Sequence, residues 1–327
     1  MDTIASCSSL NSSLSPISDR IRVRLNAIRY VARDIHLFEL VSPGNELPPA
    51  TAGAHIDIHL PDGKVRQYSL VVSDTDDAYV VAVKRDAQGR GGSLYLHDKL
   101  RVGTELEISA PRNNFPLRED AAHSVFIAGG IGITPIWSMI HRLKTIGRSW
   151  ELHFASRSPA DAAFLSDLRE LDGVRLHFDS ASQGQPLDLE AIITGLPMET
   201  DIYCCGPLPM LEAFERATVG RPAEQIHVEF FAPRQEAASG GFSIKLKSTG
   251  AVLTVPPGSS MLDVLLDAGV VVPYSCTEGI CGACQVGVVS GIPDHRDSIL
   301  TEAEHATNES VIVCCSGSKS DILMLDL

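Results

Sequence analysis

The chain has 327 residues, of which 44% are hydrophobic and 21% are charged, so it is too long for one core and two or three globular domains are expected. Its formal net charge of −14 argues against nucleic acid or an anionic membrane as the main partner and hints at a basic protein partner. No run approaches the roughly 18 consecutive apolar residues that a membrane-spanning helix needs.

The first 18 residues hold seven serines and neither lysine nor arginine. This composition does not fit a secretory signal, and it predicts a disordered tail over residues 1–18. Without an export signal we expect a cytoplasmic protein. Thiols stay reduced in the cytoplasm, so the eight cysteines are not expected to form a disulfide framework.

Residues 19–118 contain six short segments that are rich in β-branched residues. Turn signals such as Pro43-Gly44 and Asp62-Gly63 separate them. This regular spacing predicts a small antiparallel β-barrel. One short helix is expected after "GRGG", with Ser93 as its N-cap.

Strand and helix patterns alternate over residues 119–232, which predicts a parallel sheet covered by helices. The first of these helices is expected to have Thr134 as its N-cap and Pro135 at its first position. Residues 233–241 read as a polar linker, and residues 242–327 as a compact unit with a hairpin, one helix and a cysteine-rich loop.

The cysteine-rich loop has the spacing C-x4-C-x2-C at Cys276, Cys281 and Cys284. After 29 intervening residues comes a fourth candidate, Cys314 or Cys315. This is the plant-type ferredoxin spacing for a [2Fe–2S] cluster. Zinc loops usually bring their cysteines in pairs, so the alternative of a structural zinc site fits poorly. Alternation along the predicted strand sends the last two cysteines to opposite faces, which favours Cys314.

Two glycine- and proline-containing turns predict a nucleotide site. "AGGIGITP" follows a strand and opens a helix, which suits a phosphate, although such a turn can also be a simple connection and is not G-x-G-x-x-G. "YCCGP" ends a later strand, and Cys205 there could instead be a small buried hydrophobe. "ASRSPAD" leaves NAD and NADP open, because its arginine could bind a 2′-phosphate. The candidate nucleotide-binding residues are Gly130, Gly132, Thr134, Pro135, Ser156, Arg157, Cys205, Gly206 and Pro207.

A flavin phosphate site is predicted inside the barrel segment. In "RQYSL", Arg66 and Tyr68 are two residues apart and share a strand face, which places a cation beside a flat ring. A glycine nest in "GRGGS" offers a second anion cradle. Exposed basic residues are usually only solvated, so the prediction rests on their combination. The candidates are Arg66, Tyr68, Ser69, Lys84, Arg85, Gly91, Gly92 and Ser93.

With these motifs together, residues 20–327 resemble the phthalate dioxygenase reductase family, which includes vanillate O-demethylase reductases. The matching stretches are "RQYSL", "GRGGS", "PRNNFPL", "GGIGITP", "CCGP", "EFF" and the cysteine loop. The resemblance implies an antiparallel β-barrel flavin domain, an α/β parallel-sheet nucleotide domain and an α+β β-grasp ferredoxin domain. The serine-rich tail and Arg157 fall outside the family pattern.

The resemblance also implies cofactors and residue roles. FMN, rather than FAD, would be bound by Arg66, Tyr68, Ser69 and the glycine nest. NADH would be the donor, with its phosphates near Gly130, Thr134 and Pro135. Cys205 would lie near the nicotinamide and Phe231 near the flavin ring, so that Cys205, Ser69 and Phe231 are the candidate catalytic residues. Cys314 would be the fourth cluster ligand.

The expected function is that of a reductase component. NADH gives two electrons as hydride to the flavin, which passes them singly through the [2Fe–2S] cluster to a Rieske-type oxygenase. That oxygenase would hydroxylate or demethylate an aromatic acid or a similar small molecule. The alternatives are a reductase for a non-aromatic substrate such as a quaternary amine, a stand-alone NADH diaphorase or redox sensor, and a non-enzymatic zinc module fused to a flavin-like barrel.

Overall fold

The structure is a computed structural model that describes residues 20–327 apart from positions 45, 74, 76 and 183. The predicted disordered tail over residues 1–18 lies outside the described residues. Within the described part, the chain forms three sheet-based units in sequence order, which confirms the expected multidomain fold class.

The first unit is a closed barrel with the strand order β1-β2-β5-β4-β3-β6. Its strands pair antiparallel, as the regular spacing of the short β-branched segments predicts. Val23, Leu25, Ile56 and Ile58 are fully buried in its interior. The elements are β1 (Ile21–Ala32), β2 (Ile35–Val41), β3 (His55–His59), β4 (Val65–Val71), β5 (Ala78–Lys84), α1 (Gly92–Asp98) and β6 (Glu105–Ile108).

The start of α1 corrects one expectation. The N-cap is Gly91, whose φ of 89° lies in the left-handed region, and not Ser93. The Ser93 hydroxyl instead accepts a hydrogen bond from the N–H of Asp86 at 3.0 Å. The left-handed glycine turns the chain into the helix two residues earlier than a serine cap would.

The second unit is a parallel sheet in the order β11-β10-β7-β8-β9. Helix α2 begins at Ile133, because a 3₁₀ turn over Gly130–Gly132 runs directly into it. Thr134 is therefore not the N-cap, and its hydroxyl donates to the Ile131 carbonyl at 3.0 Å. The elements are β7 (His123–Gly129), α2 (Ile133–Thr145), β8 (Ser149–Ser156), α3 (Leu165–Arg169), β9 (Val174–Phe178), α4 (Leu189–Thr194), β10 (Asp201–Cys205), α5 (Leu208–Ala217) and β11 (Ile226–Glu229).

The barrel and the parallel sheet share a hydrophobic core. Val71 and Val80 of the barrel belong to the same buried cluster as Ile136 and Trp137 of α2. A shared apolar core favours one arrangement of the two units, because separating them would expose that surface to water.

The third unit is a mixed sheet in the order β13-β12-β18-β14-β16, with a separate two-stranded ribbon of β15 and β17. Helix α6 packs its Met261 and Leu265 into the core of this unit. No helix in the described part of the chain is long and apolar enough to cross a membrane. The elements are β12 (Phe242–Leu246), β13 (Val252–Val255), α6 (Met261–Asp267), β14 (Gln285–Ser290), β15 (Pro293–Asp294), α7 (Glu302–Thr307), β16 (Ser310–Ile312), β17 (Gly317–Ser318) and β18 (Ile322–Leu325).

Candidate functional site

Four buried thiols converge beside the third sheet. Cys276, Cys281 and Cys284 lie on the loop between α6 and β14, and Cys314 lies in the turn after β16. Hydrogen bonds from Cys281 and then from Cys314 lower the pKa of Cys276, and Cys314 likewise lowers the pKa of Cys284. The four sulfurs are therefore neighbours, and thiolate, the form that binds iron, is favoured at two of them.

The loop backbone turns inward to the sulfurs. The N–H of Glu278 donates to Cys276 Sγ at 3.3 Å, and that of Cys276 donates to Cys281 Sγ at 3.5 Å. Gly279 has a φ of 73°, and a Cβ there would lie 2.5 Å from Cys315 Sγ. The buried donors and the absence of a side chain at this position suit four thiolates around a compact cluster.

Cys315 has a different environment from Cys314. Its thiol donates to the Ile312 carbonyl at 3.8 Å and packs under Gly279. Strand alternation, from which we favoured Cys314 on the sequence alone, is wrong as a reason, since β16 ends at Ile312 and both cysteines lie in a turn. The turn, and not strand alternation, directs only Cys314 toward Cys276 and Cys284.

The two predicted nucleotide turns meet at the carboxyl edge of the parallel sheet. Strands β7 and β10 are adjacent, with Ala128 opposite Cys205. A Cβ at Gly132 would lie 2.2 Å from the Cys205 carbonyl oxygen, so the turn after β7 packs backbone against backbone on the turn after β10. Gly206 and Pro207 complete this edge, where α/β sheets bind their ligands.

Cys205 is fully buried at this edge, and its thiol donates to Glu229 Oε2 at 4.0 Å. Burial raises the pKa of Cys205, so the thiol stays protonated. Burial also raises the pKa of Glu229, at the end of β11, to about 8. We assigned no role to this carboxyl from the sequence, although "EFF" contains it, because only its contact with Cys205 identifies it.

Several residues at the carboxyl end of β8 make structural contacts. Ser156 is buried, and its hydroxyl donates to the Ser158 carbonyl at 2.9 Å. Asp161 accepts from Arg33 of the barrel at 2.8 Å and holds the two units together. Arg157 is exposed, and no hydrogen bond or ion pair joins its side chain to another described residue.

The predicted flavin residues lie on β4 and at the start of α1. Ser69 is buried, and burial raises the pKa of the half-buried Tyr68 to about 12, so its hydroxyl stays protonated. A Cβ at Gly92 would lie 2.6 Å from Arg66 Cγ, which means that the glycine leaves room for this arginine. The Arg66 guanidinium is 3.9 Å from the Glu278 carboxylate of the cysteine loop, and Arg90 pairs with the same carboxylate.

Three predicted residues are placed apart from this group. Arg85 donates to Asp98 through two nitrogens, at 3.0 and 2.9 Å, so its guanidinium is used within the barrel. Lys84 is exposed and lies near Asp161, toward the parallel sheet. Phe231 follows β11 and is 37% exposed, which leaves its ring free to cover a ligand.

Known proteins match this chain over part or nearly all of its length. The profile of the 2Fe-2S iron-sulfur cluster binding domain matches residues 244–318. The chain is 46% identical over 318 residues to phenoxybenzoate dioxygenase subunit beta of Ectopseudomonas oleovorans, covering 96% of this chain and 98% of that one. It is 45% identical over 323 residues to tetrachlorobenzoquinone reductase of Sphingobium chlorophenolicum, covering 96% and 99%.

Among solved structures, phthalate dioxygenase reductase matches with a TM-score of 0.71 at 37% identity. That protein has a modular structure for electron transfer from pyridine nucleotides to [2Fe–2S]. The match covers 94% of this chain and 98% of that one. The chain belongs to the phthalate dioxygenase reductase family.

Membership confirms the expected activity and cofactors. This reductase is an oxidoreductase that uses NADH, FMN and a [2Fe–2S] cluster, and it is the reductase component of an oxygenase system. The zinc-module alternative is wrong, since the matched domain binds an iron–sulfur cluster. The thiol set, the inward N–H groups and the basic pair of Arg66 and Arg90 fit these groups chemically.

Proposed function

We propose that this reductase serves a Rieske-type oxygenase that hydroxylates or demethylates an aromatic acid or a similar small molecule. The observation that carries the proposal is the position of the cysteine loop. One side of the loop lies on the flavin barrel through Glu278, while α7 and the turn before β16 expose Glu302, Glu304 and Glu309 to solvent on the same unit. An electron therefore has an entry side and an exit side on the same small unit.

At the nucleotide edge, the residues of this chain bind and orient the donor. The turn over Gly130–Gly132, with Thr134, would offer backbone N–H donors to the NADH phosphates, and Pro135, which has no N–H, would only shape the site beside them. Cys205, Gly206 and Pro207 form the floor on which the nicotinamide would rest. Arg157 and Ser156 lie at the end of the neighbouring strand β8, at the ribose side.

Protonated groups surround the place of hydride transfer. Cys205 and Glu229 are both neutral near pH 7, because burial raises the pKa of each. Ser69 and Phe231 would approach the flavin ring from the barrel and from the chain after β11. When bound, the flavin accepts a hydride and the cluster accepts single electrons. These residues exclude water and fix the two rings against each other.

On the flavin side, Arg66 with the Gly91-Gly92-Ser93 nest would hold the single phosphate of FMN. Arg90 adds a second guanidinium, and Glu278 already shows that this basic pair binds an anion. Lys84 would contribute only long-range charge, and Arg85 is removed from the set by its pairing with Asp98.

The exposed carboxylates around the cluster suit a basic partner. Residues 242–327 contain ten acidic and four basic residues. Glu278 and Asp297 face inward, whereas Glu302, Glu304 and Glu309 are exposed on α7 and just after it. We place the protein in the cytoplasm, where NADH is available and thiols stay reduced.

A second candidate function is direct reduction of quinones. It is favoured by the likeness to tetrachlorobenzoquinone reductase, whose length this chain almost fully spans. A quinone accepts electrons without an oxygenase and would not need the exposed carboxylates Glu302, Glu304 and Glu309 for docking.

One comparison of acceptors tests the proposal. Purified holoprotein is mixed with NADH and either the oxygenase component of phthalate dioxygenase or tetrachlorobenzoquinone. Our proposal predicts a higher kcat/KM for reduction of the Rieske centre than for the quinone. A rapid quinone reaction with no detectable reduction of the Rieske centre contradicts it and supports the second candidate.

A further inference from the structure

The cysteine-loop unit contacts the barrel through polar groups. Its own hydrophobic cluster contains residues of the third unit alone, and no hydrophobic cluster of the described residues joins it to the barrel. This differs from the apolar core that joins the barrel to the parallel sheet. The position of the iron–sulfur unit must therefore be set by specific hydrogen bonds and ion pairs.

One buried carboxylate receives hydrogen bonds from both units. Asp57 of β3 is 3% exposed and points outward from the barrel wall. Its Oδ1 accepts from Gln67 Nε2 at 2.8 Å and from an Arg112 guanidinium nitrogen at 2.7 Å. These three residues, Asp57, Gln67 and Arg112, all belong to the barrel segment, and we call them the docking socket.

The third unit inserts one side chain into the docking socket. Ser275, directly before the ligand Cys276, is 7% exposed and donates to Asp57 Oδ2 at 2.5 Å. The same hydroxyl accepts from Gln67 Nε2 at 2.9 Å and lies 3.4 Å from Arg112. The Ser275 hydroxyl therefore both donates and accepts a hydrogen bond. Its bond to the Asp57 carboxylate is charge-assisted, and such bonds are stronger than neutral ones.

A second contact fixes the other end of the loop. Asn114 of the barrel segment donates to the carbonyl of the ligand Cys281 at 2.9 Å. With Asp57 holding Ser275 and Asn114 holding Cys281, the loop is fixed at two points six positions apart along its length. The ligands Cys276 and Cys281 cannot shift on the barrel without breaking one of these hydrogen bonds.

We propose that Asp57, supported by Gln67 and Arg112, is a positioning residue that holds the cluster loop in place for electron transfer from the flavin. Ser275 is its counterpart on the iron–sulfur unit. The inference rests on the proposed function. In each transfer one electron leaves the reduced flavin and enters the oxidised cluster, and no atom or proton passes through the docking socket.

The docking socket is complete without the iron–sulfur unit. Gln67 and Arg112 already bind Asp57 from within the barrel, and Ser275 supplies the one hydrogen bond that this carboxylate receives from the third unit among the described residues. Removal of the Ser275 hydroxyl therefore weakens docking without breaking a contact within the barrel, whereas a change at Asp57 also alters its ion pair with Arg112.

The test uses full-length holoprotein and four variants: Asp57→Asn, Ser275→Ala, the double variant, and Glu107→Gln as a control. Glu107 belongs to an exposed ion pair with Arg20 on the same barrel. In anaerobic rapid mixing with NADH, flavin reduction should keep its wild-type rate in all four. Cluster reduction should slow about ten-fold in each single docking variant, as expected for a lost hydrogen bond to a charged group. Iron content confirms that the cluster is assembled.

Two further measurements distinguish a loss of positioning from a general loss of stability. The double variant should be no slower than the slower single variant, because both changes remove the same contact. Amide hydrogen exchange, which needs no turnover, should increase together at residues 112–114 and 275–281 in Ser275→Ala. Wild-type cluster reduction in Ser275→Ala, or unchanged exchange at both segments, overturns the proposal. Loss of flavin reduction in wild-type protein would instead contradict the proposed function.

Discussion

Cys314 and Cys315 are neighbours in the chain with different surroundings. The Cys314 thiol hydrogen-bonds to Cys276 and Cys284, whereas the Cys315 thiol bonds the Ile312 carbonyl beneath Gly279. From the sequence, alternation along a predicted strand favoured Cys314 over Cys315, and that argument is wrong because both cysteines lie in a turn. The resemblance to a known family favoured Cys314, and the turn that follows β16 supplies the physical reason.

Replacing each of these cysteines by serine should have opposite effects. Cys314→Ser should abolish the cluster, since serine supplies no thiolate, while Cys315→Ser should keep it, since a hydroxyl fits the same space. Iron content and visible absorbance of the purified variants give the answer. Loss of the cluster in Cys315→Ser with retention in Cys314→Ser would show that the ligand assignment is wrong.

Burial also determines the protonation state of Glu229. Burial raises its pKa from 4.5 to about 8. An unfolded chain releases this proton above 4.5, whereas the folded chain keeps it to about 8. Stability is therefore lost as the pH rises between these two values, because the unfolded state binds fewer protons over that range.

Glu229→Gln should remove this pH dependence. The variant should unfold at the wild-type temperature near pH 5 and a few degrees higher than wild type near pH 9, because glutamine remains neutral. Thermal unfolding followed by circular dichroism at the two pH values measures the difference. An equal response of both proteins to pH would mean that Glu229 is already ionised in the folded state.

At the level of elements, the strands of the barrel and of the parallel sheet follow from apolar periodicity and turn residues. The starts of α1 and α2 do not. A left-handed Gly91 and a 3₁₀ turn before Ile133 replace the predicted caps Ser93 and Thr134. Both involve glycine, whose conformation depends on tertiary surroundings that the local sequence does not contain.

The close packing of the two nucleotide turns was also beyond the sequence. "GGIGITP" ends at Pro135 and "CCGP" begins at Cys204, and only the adjacency of β7 and β10 brings Gly132 against the Cys205 carbonyl. Long-range strand order of this kind is set by the whole sheet. The residues of both motifs were nevertheless predicted, because each turn is typical of a ligand-binding edge.

A matched pair of glycine variants tests this packing. Gly132→Ala should weaken NADH binding at least ten-fold and lower stability, since its Cβ would lie 2.2 Å from the Cys205 oxygen. Gly195→Ala should be tolerated, because its nearest neighbour would be 3.5 Å away and neither glycine has a positive φ. NADH affinity by equilibrium titration and the unfolding temperature report both effects. Normal NADH binding in Gly132→Ala would contradict the packing.

At the scale of the whole molecule, two kinds of contact join the units. An apolar core joins the barrel to the parallel sheet, and polar contacts at Asp57, Asn114 and Glu278 place the cysteine loop on the barrel. The order of domains could be predicted from the sequence. Their contacts could not, since Asp57 and Ser275 are 218 residues apart and neither belongs to a motif.

The exposed carboxylates Glu302, Glu304 and Glu309 lead to a prediction about ionic strength. Electrons delivered to a Rieske-type oxygenase should arrive more slowly as ionic strength rises, because steering between exposed charges is screened over about 10 Å at 0.1 M salt. Reduction of ferricyanide, a small acceptor that needs no docking, should change much less. Steady-state assays over a salt series compare the two. A parallel decline of both activities would remove electrostatic steering from the account.

In the proposed path, electrons enter the protein at the flavin and leave through the cluster. Anaerobic rapid mixing of NADH with the full-length Cys314→Ser variant and an oxidised Rieske-type oxygenase component tests it directly. We expect flavin reduction at the wild-type rate and no reduction of the Rieske centre in this variant, whereas the wild-type protein should reduce both. Reduction of the Rieske centre by the cluster-free variant would contradict the account, because the flavin would then be the exit.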